Sequence, residues 1–208
     1  MSAAAVERPH APAHKSLLLL EQADQLMEQL PGYRVEILGG DLIVTPPSDF
    51  GHARGLSSLR DTFAAVGLNR GETRVLEGLG LWLPDGPANF AIPDLAVVDA
   101  DAGERVAEYE CVDPAAFRMV LEITSGNYVN DLRTKVAAYG AAKVPVYVIV
   151  DRKHERLHVL TEPIEDDYAM HRIHVPGEKV ALPESIGAEV TLDVTEVLED
   201  ARRITPRR

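Results

Sequence analysis

Two segments of this chain are apolar on both faces of an extended strand, and each holds a single carboxylate. In Phe90-Ala-Ile-Pro-Asp94-Leu-Ala-Val-Val98 the acid is Asp94, and in Phe117-Arg-Met-Val-Leu-Glu122-Ile-Thr124 it is Glu122. Apolar runs without polar alternation read as central strands covered from both sides. A lone carboxylate there costs several kcal/mol unless it is paired. Each strand therefore calls for a compensating group: a cation, backbone donors, a shared proton or a metal.

The pattern around them supplies the covering layers. Leu20, Ala23, Leu26/Met27 and Leu30 recur at helical spacing up to Pro31-Gly32. Tyr33–Leu38 and Asp41–Thr45 flank Gly39-Gly40 and predict a β-hairpin. Leu56, Leu59, Phe63 and Val66 mark a second helix over 52–66. Arg74–Leu83 and Phe90–Val98 read as strands joined at Pro84-Asp85-Gly86-Pro87, followed by an acidic loop from Asp99 to Asp113. Leu132, Val136 and Tyr139 predict a third helix, capped by Asn130 or Asp131. Val144–Val150, Arg156–Leu160, Tyr168–Val175 and Val190–Val194 complete the strands, before a short final helix. The expected fold is α/β or α+β, a mixed β-sheet flanked by helices, with an N-terminal helix and β-hairpin. At 208 residues this is one domain, 15–200, between a loose tail at 1–14 and a basic tail at 201–208.

Composition narrows the function. Hydrophobic residues make up 46% and charged residues 26%, which excludes a disordered chain. Against 33 acidic residues stand 21 basic ones, a net charge of −12 that opposes broad charge-driven binding to nucleic acid or anionic membrane. A small basic or metal-filled cleft is compatible with it. One cysteine, Cys111, forms no internal disulfide and gives no zinc-finger spacing, so a reducing, cytoplasmic setting is expected. No basic segment followed by an apolar one opens the chain as a signal peptide would, and the longest apolar stretch is the seven residues Val144–Val150, so no membrane association is expected.

Lys135 lies thirteen residues after Glu122, on the next predicted helix. A strand–loop–helix step of that length folds it back over the sheet end, bringing Asp94, Glu122 and Lys135 around one point. Two hard oxygen ligands suit Mg²⁺, and a nearby lysine suits charge building on a phosphate or an attacking water. Each residue also has a plainer reading. Asp94 can face solvent beside Pro93, and Glu122 can be structural. Lys135 can pair with Asp131 at i,i+4 on a helix surface for about 0.3–0.5 kcal/mol. Alternation in the hairpin places Glu36 on its solvated face, and His52 at a helix start reads first as a cap or surface residue. GxSxG, GxxxxGK[ST], HExxH and GxGxxG are absent. His171 and His174, three apart in a strand, face opposite sides and do not form a joint metal site.

Several strings in order make the chain similar to a known family: Gly32-Tyr-Arg-Val-Glu36-Ile-Leu-Gly-Gly40, His52, Ile92-Pro-Asp94-Leu-Ala-Val-Val98, Val120-Leu-Glu122-Ile-Thr-Ser125, Asp131-Leu-Arg-Thr-Lys135-Val-Ala-Ala-Tyr139 and Val144-Pro-Val-Tyr147-Val-Ile-Val-Asp151. Over about residues 16–200 the chain resembles the Uma2 family, once called DUF820, of the restriction-endonuclease-like PD-(D/E)XK superfamily. The resemblance implies a core of helix, three-stranded antiparallel meander, helix and a further strand. Asp94 matches the PD aspartate and Glu122 the (D/E)XK acid. Thr124 stands where that motif has lysine, and Lys135 matches the family's displaced lysine on the following helix. Glu36 and His52 match further family positions.

The implied activity is that of an endonuclease, a hydrolase of phosphodiester bonds in DNA, using Mg²⁺ or Mn²⁺. Asp94, Glu122 and the Ile123 carbonyl would hold the metal, and Lys135 would place positive charge beside the reacting water. Glu36 would act on the metal indirectly or orient water, and His52 would contact phosphate. The alternative is a catalytically inactive nuclease-like module binding nucleic acid or protein as a regulator; a weaker third reading is a small-molecule phosphoesterase. Arg54, Arg60, Arg70 and Arg74 are candidates for a basic cleft, each also readable as part of a solvated face. A homodimer is expected if a duplex is to be gripped from both sides.

Overall fold

The computed structural model describes residues 11–107, 109–125 and 130–204, with backbone alone for 11–15 and 130–131. Helix α1, Ala11–Gln29, leads into a hairpin of β1, Arg34–Leu38, and β2, Asp41–Thr45. Its turn is Gly39-Gly40, both at positive φ (59° and 80°), the geometry that two-residue hairpins favour. Helix α2, Phe50–Ala65, follows, then β3, Thr73–Glu77, β4, Leu81–Trp82, β5, Phe90–Ala91, and β6, Leu95–Asp99. After the acidic loop come β7, Phe117–Ile123, a π-helical turn at Asn130–Thr134, and α3, Lys135–Ala141. The chain continues through β8, Val146–Asp151, β9, Arg156–Ile164, and β10, Asp167–His174. It closes with β11, Lys179–Ala181, β12, Thr191–Asp193, and α4, Val194–Asp200.

A six-stranded sheet, in the order β10-β9-β8-β7-β6-β3, forms the centre of the fold. Its neighbours pair antiparallel except β7 and β8, which run parallel and so need a crossover, supplied by α3. Met119, Leu121, Ile123, Val148 and Val150 face one way, onto Leu59 and Phe63 of α2 and Val197 and Leu198 of α4. Val120, Tyr147 and Ile149 face the other way, onto Ala138 and Tyr139 of α3. Both faces are covered, as the uninterrupted apolar strands require. The close approach of α2 to the chain end rests on Gly55, where a Cβ would lie 2.8 Å from Ala201 Cα. Among the described residues no helix is long and apolar enough to cross a membrane.

The structure departs from the expected strands in an informative way. The two long strands of the Arg74–Leu83/Phe90–Val98 hairpin each break in two. β3 and β6 stay paired in the six-stranded sheet, while β4 and β5 pair with each other in a second sheet of order β2-β1-β5-β4. The breaks fall at Gly78, at φ 64°, and at Pro93, which has no N–H to give a ladder. Ile92-Pro93-Asp94 is therefore the point where two sheets diverge. Two boundaries also shift. Helix α1 reaches back to Ala11, inside the expected 1–14 tail. At the other end Ala201, the first residue of the expected basic tail, is fully buried, and Arg203 reaches Asp49.

Candidate active site

Register places the two acids together. β6 and β7 pair antiparallel with Leu95 opposite Leu121. One residue further, the same count sets Asp94 against Glu122. Asp94 leaves the ladder there, and its Oδ2 accepts a hydrogen bond from the backbone N–H of Ile123 at 2.8 Å. The same oxygen lies 2.9 Å from His52 Nε2. Oδ1 lies 2.8 Å from an Arg34 guanidinium nitrogen. Burial alone would raise the Asp94 pKa. The His52 hydrogen bond and the charges of Arg34, His52 and Lys135 outweigh it and hold this carboxyl well below the usual range.

Glu122 points to the α3 face of β7. Lys135 and Tyr139 are four apart on α3, on one helix face, and both donate to Glu122 Oε1, at 2.6 and 2.9 Å. Burial, together with the charges of Glu122 and Glu36, pushes the Tyr139 hydroxyl well above its ordinary pKa, so it stays a donor. Its ring stands edge-on to Tyr147 of β8, centroids 4.9 Å apart, which fixes the hydroxyl's direction.

β1 supplies the rest. Arg34 and Glu36 alternate with Val35 and so share one strand face. The sheet divergence frees the Ile92 backbone from the ladder, and β1 claims both of its groups. Ile92 N–H donates to Glu36 Oε1 at 2.7 Å, and Arg34 donates to the Ile92 carbonyl at 2.6 Å. Lys135 Nζ lies 3.0 Å from Glu36 Oε1, so one ammonium bridges Glu36 and Glu122.

Asp94, Glu122, Lys135, Glu36 and His52 are each no more than 5% exposed. Three plainer expectations are thereby corrected. Glu36 is not on a solvated face, because β1 is an inner strand of its sheet with α1 residues packed on its other side. His52 is buried, and the cap of α2 is Asp49, whose side chain accepts from His52 N–H at 3.0 Å. Lys135 is not a solvated lysine on a helix surface; the Asp131 side chain lies outside the described residues, as does the expected cap by Asn130. Ile123 joins the cluster through its N–H.

A cleft of about 500 Å³ opens beside this cluster. Arg34, His52, Arg152 and Arg203 line it, with Ser48, Asp49 and Ser125. Arg152 is tightly held: it donates to the Thr124 carbonyl at 2.6 Å and in fork geometry to both Asp49 oxygens at 2.9 and 3.0 Å. Thr124, at the motif's lysine position, accepts the Arg152 N–H on its hydroxyl at 3.0 Å. The Arg152 hydrogen bond is the main cause of a strongly lowered Asp49 pKa.

The four arginines expected for such a cleft lie elsewhere. Arg54 donates to the Glu199 and Asp200 carbonyls, Arg60 pairs with Glu77, Arg74 donates to the Gly71 and Thr73 carbonyls, and Arg70 is exposed. The sequence signals for the actual residues were slight. Arg34 sits two positions before Glu36, and Arg152 follows directly on an apolar strand.

The donor set fits a hard divalent cation. Among the described residues no group of three His, Cys, Asp or Glu side chains has a metal-holding arrangement. Two carboxylates on adjacent strands match what Mg²⁺ takes when waters and substrate complete its shell. A cation also already rests there: burial would lower the Arg34 pKa, yet Glu122, Asp94 and Glu36 together raise it above its ordinary value.

The fold is shared with solved structures. One is the crystal structure of a "putative nuclease belonging to DUF820" from Anabaena variabilis, 16% identical, with a TM-score of 0.60, covering 80% of this chain and 90% of that one. It places the molecule in a class of α+β proteins whose mixed sheets are flanked by helices. The profile of the Uma2 family, described as "Putative restriction endonuclease", matches residues 20–195, and the chain belongs to that family. No curated protein matches it.

Proposed function

We propose that the protein is a nuclease that hydrolyses phosphodiester bonds in DNA with Mg²⁺ or Mn²⁺. The observation that carries this reading is the buried cluster of Asp94, Glu122 and Lys135, joined through Arg34 and His52 to an arginine-lined cleft. Family membership supports it. Asp94 and Glu122, with the Ile123 carbonyl, would hold the cation. When bound, the cation supplies Lewis-acid stabilisation of phosphoryl charge and acidifies a water for in-line attack.

The chain's own residues do the rest. Lys135, fixed by Glu122 and Glu36, keeps a positive charge beside the carboxylates, where an attacking water and the developing phosphorane are stabilised. Glu36 orients Lys135 and anchors Ile92, and His52 orients Asp94. Arg152, its guanidinium plane already set by Asp49 and Thr124, suits a backbone phosphate. With a net charge of −12, DNA contact is confined to this cleft, so the salt dependence of binding is shallow. A second copy on a two-fold axis would extend the contact along a duplex; sedimentation with and without duplex tests it. The absent disulfide framework fits action in the cytoplasm.

The test is cleavage of supercoiled, linear and single-stranded DNA with Mg²⁺, Mn²⁺ or chelator, with Asp94→Asn alongside. The expected result is metal-dependent cutting that falls by roughly a thousandfold or more in the variant, about 4 kcal/mol of barrier. Cutting that survives in Asp94→Asn, or in chelator, overturns the assignment. The same net charge favours one rival, a silent nuclease-like module acting as a regulator. DNA bound without cutting under every metal condition would establish that rival.

A further inference from the structure

Arg34 has no counterpart in the proposed chemistry, yet its guanidinium is seated on Asp94. Its guanidinium nitrogen lies 2.8 Å from Asp94 Oδ1 and 2.6 Å from the Ile92 carbonyl. The other Asp94 oxygen accepts from both His52 and Ile123 N–H, which fills its two lone-pair directions. Oδ1 is therefore the Asp94 atom left to serve a cation, and Arg34 sits on it. The guanidinium stays charged at any pH a protein tolerates, and three carboxylates, Glu122, Asp94 and Glu36, act on it together. A divalent ion on the same oxygen would meet a fixed positive charge at contact distance in a poorly hydrated site, where screening is weak.

We propose that Arg34 is a built-in counter-ion for the cation position: a guanidinium seated on Asp94 and a divalent metal ion exclude each other. The inference rests on the metal-dependent reading above. The geometry gives the side chain somewhere to go. Unlike the five buried residues around it, Arg34 is 22% exposed at its side chain and lines the cleft of about 500 Å³. A phosphodiester lying in that cleft offers the guanidinium a new anionic partner. Substrate phosphate then draws Arg34 off Asp94, and cation and polyanion bind with positive coupling, each strengthening the other by the same factor. Without substrate the protein binds metal weakly and keeps its buried acids neutralised.

The experiment measures Mn²⁺ affinity directly, by calorimetric titration and by the spin-resonance signal of free Mn²⁺, without any cleavage assay. Arg34→Gln should bind Mn²⁺ at least about tenfold more tightly than wild type, and Asp94→Asn should abolish binding in either background. Arg152→Gln removes an equal charge from the same cleft but not from Asp94, and should change the affinity by less than about threefold. Equal affinities for wild type and Arg34→Gln, or an equal gain in Arg152→Gln, would overturn the inference while leaving metal binding intact. Absence of Mn²⁺ binding in both wild type and Arg34→Gln would instead bring down the metal-dependent reading, and this one with it. A second measurement needs no variant. In ¹⁵N-labelled wild-type protein the Arg34 Nε–H resonance should move to a solvent-exchanging position as Mg²⁺ saturates the site. A resonance that stays in place at saturation contradicts displacement.

Discussion

Two acid-centred groups lie on the same face of the six-stranded sheet, and they are neutralised in opposite ways. Glu122 of β7 pairs in register with Ile149 of β8, and Ile149 with His158 of β9. One apolar side chain therefore separates the Glu122 group from the group around Asp151. Glu122 is met by the Lys135 ammonium and by the Tyr139 hydroxyl. Asp151, 1% exposed, is met instead by backbone N–H groups of Lys153 and His154, by His154 Nδ1 at 2.6 Å, and more distantly by His158 Nε2 at 3.7 Å. The first group is an ion-pair cluster, one lysine bridging two carboxylates, and it adjoins an arginine-lined cleft. The second is built from backbone donors and imidazole nitrogens, and its buried imidazole, His158, is held neutral by burial. The same strand geometry carries both, so the chemistry comes from the choice of partner and not from the sheet.

The largest break in that comparison comes from removing the Lys135 ammonium. Lys135→Met leaves Glu122 and Glu36 buried around an apolar stem, and loss of one partner from a buried ion pair costs about 3–5 kcal/mol. Urea unfolding should show that loss as a lower midpoint with an unchanged slope, and metal-dependent cutting should vanish with it. Adding Glu36→Gln to Lys135→Met should restore part of the stability without restoring activity, because one uncompensated carboxylate is removed. A double variant no more stable than Lys135→Met would mean that Glu36 takes its compensation from Ile92 and Arg34 alone.

A smaller effect separates the two donors on Glu122. Tyr139→Phe deletes one charge-assisted hydrogen bond while leaving Lys135 and the ring contact with Tyr147, and should cost about 2 kcal/mol. Circular-dichroism melts at neutral pH, where the raised Tyr139 hydroxyl stays protonated, should show the loss. A melt unchanged from wild type would show that Lys135 alone satisfies Glu122 Oε1.

The contrast also explains what the sequence could and could not reveal. Asp94 and Glu122 stood out because a carboxylate inside an apolar strand is a local violation that composition makes visible. Lys135 followed from chain length and helical spacing. Glu36 was misplaced because period-2 alternation assumes one solvated face, whereas β1 is covered on both. Arg34 and Arg152 carried no such mark, since arginines near strand ends are common on surfaces. The place of Arg34 depends on the divergence of β4 and β5 from β3 and β6, a tertiary event that Gly78 and Pro93 permit without announcing, and that of Arg152 on the meeting of the α2 cap with the ends of β7 and β8. The meeting of His158 with His171 across β9 and β10, at 2.8 Å, depends on hairpin register, which no local pattern fixes.

That histidine pair gives the smallest expected effect, and its sign follows from its surroundings. Burial, then the neighbouring His171 and Arg156, lower the His158 pKa from 6.5 to about 4, against the pull of Asp151. Burial also lowers His171. Above pH 6.5 His158 is neutral in folded and unfolded chains alike, and contributes no pH dependence. Between 6.5 and about 4 the unfolded chain takes up a proton that the folded protein refuses, so stability falls as pH falls through that window. The loss should be about 1 kcal/mol, less than the full shift implies, because water at the exposed edge of His171 screens the pair. Asp94 and Asp49, both held below their ordinary value of 3.8, lose their contributions only at lower pH and so fall outside the window. His158→Gln should flatten the profile of urea midpoints between pH 6.5 and 4 and leave the steeper acid limb unchanged. A variant with the wild-type slope in that window would move the titration from His158 to His171, whose pKa burial also lowers.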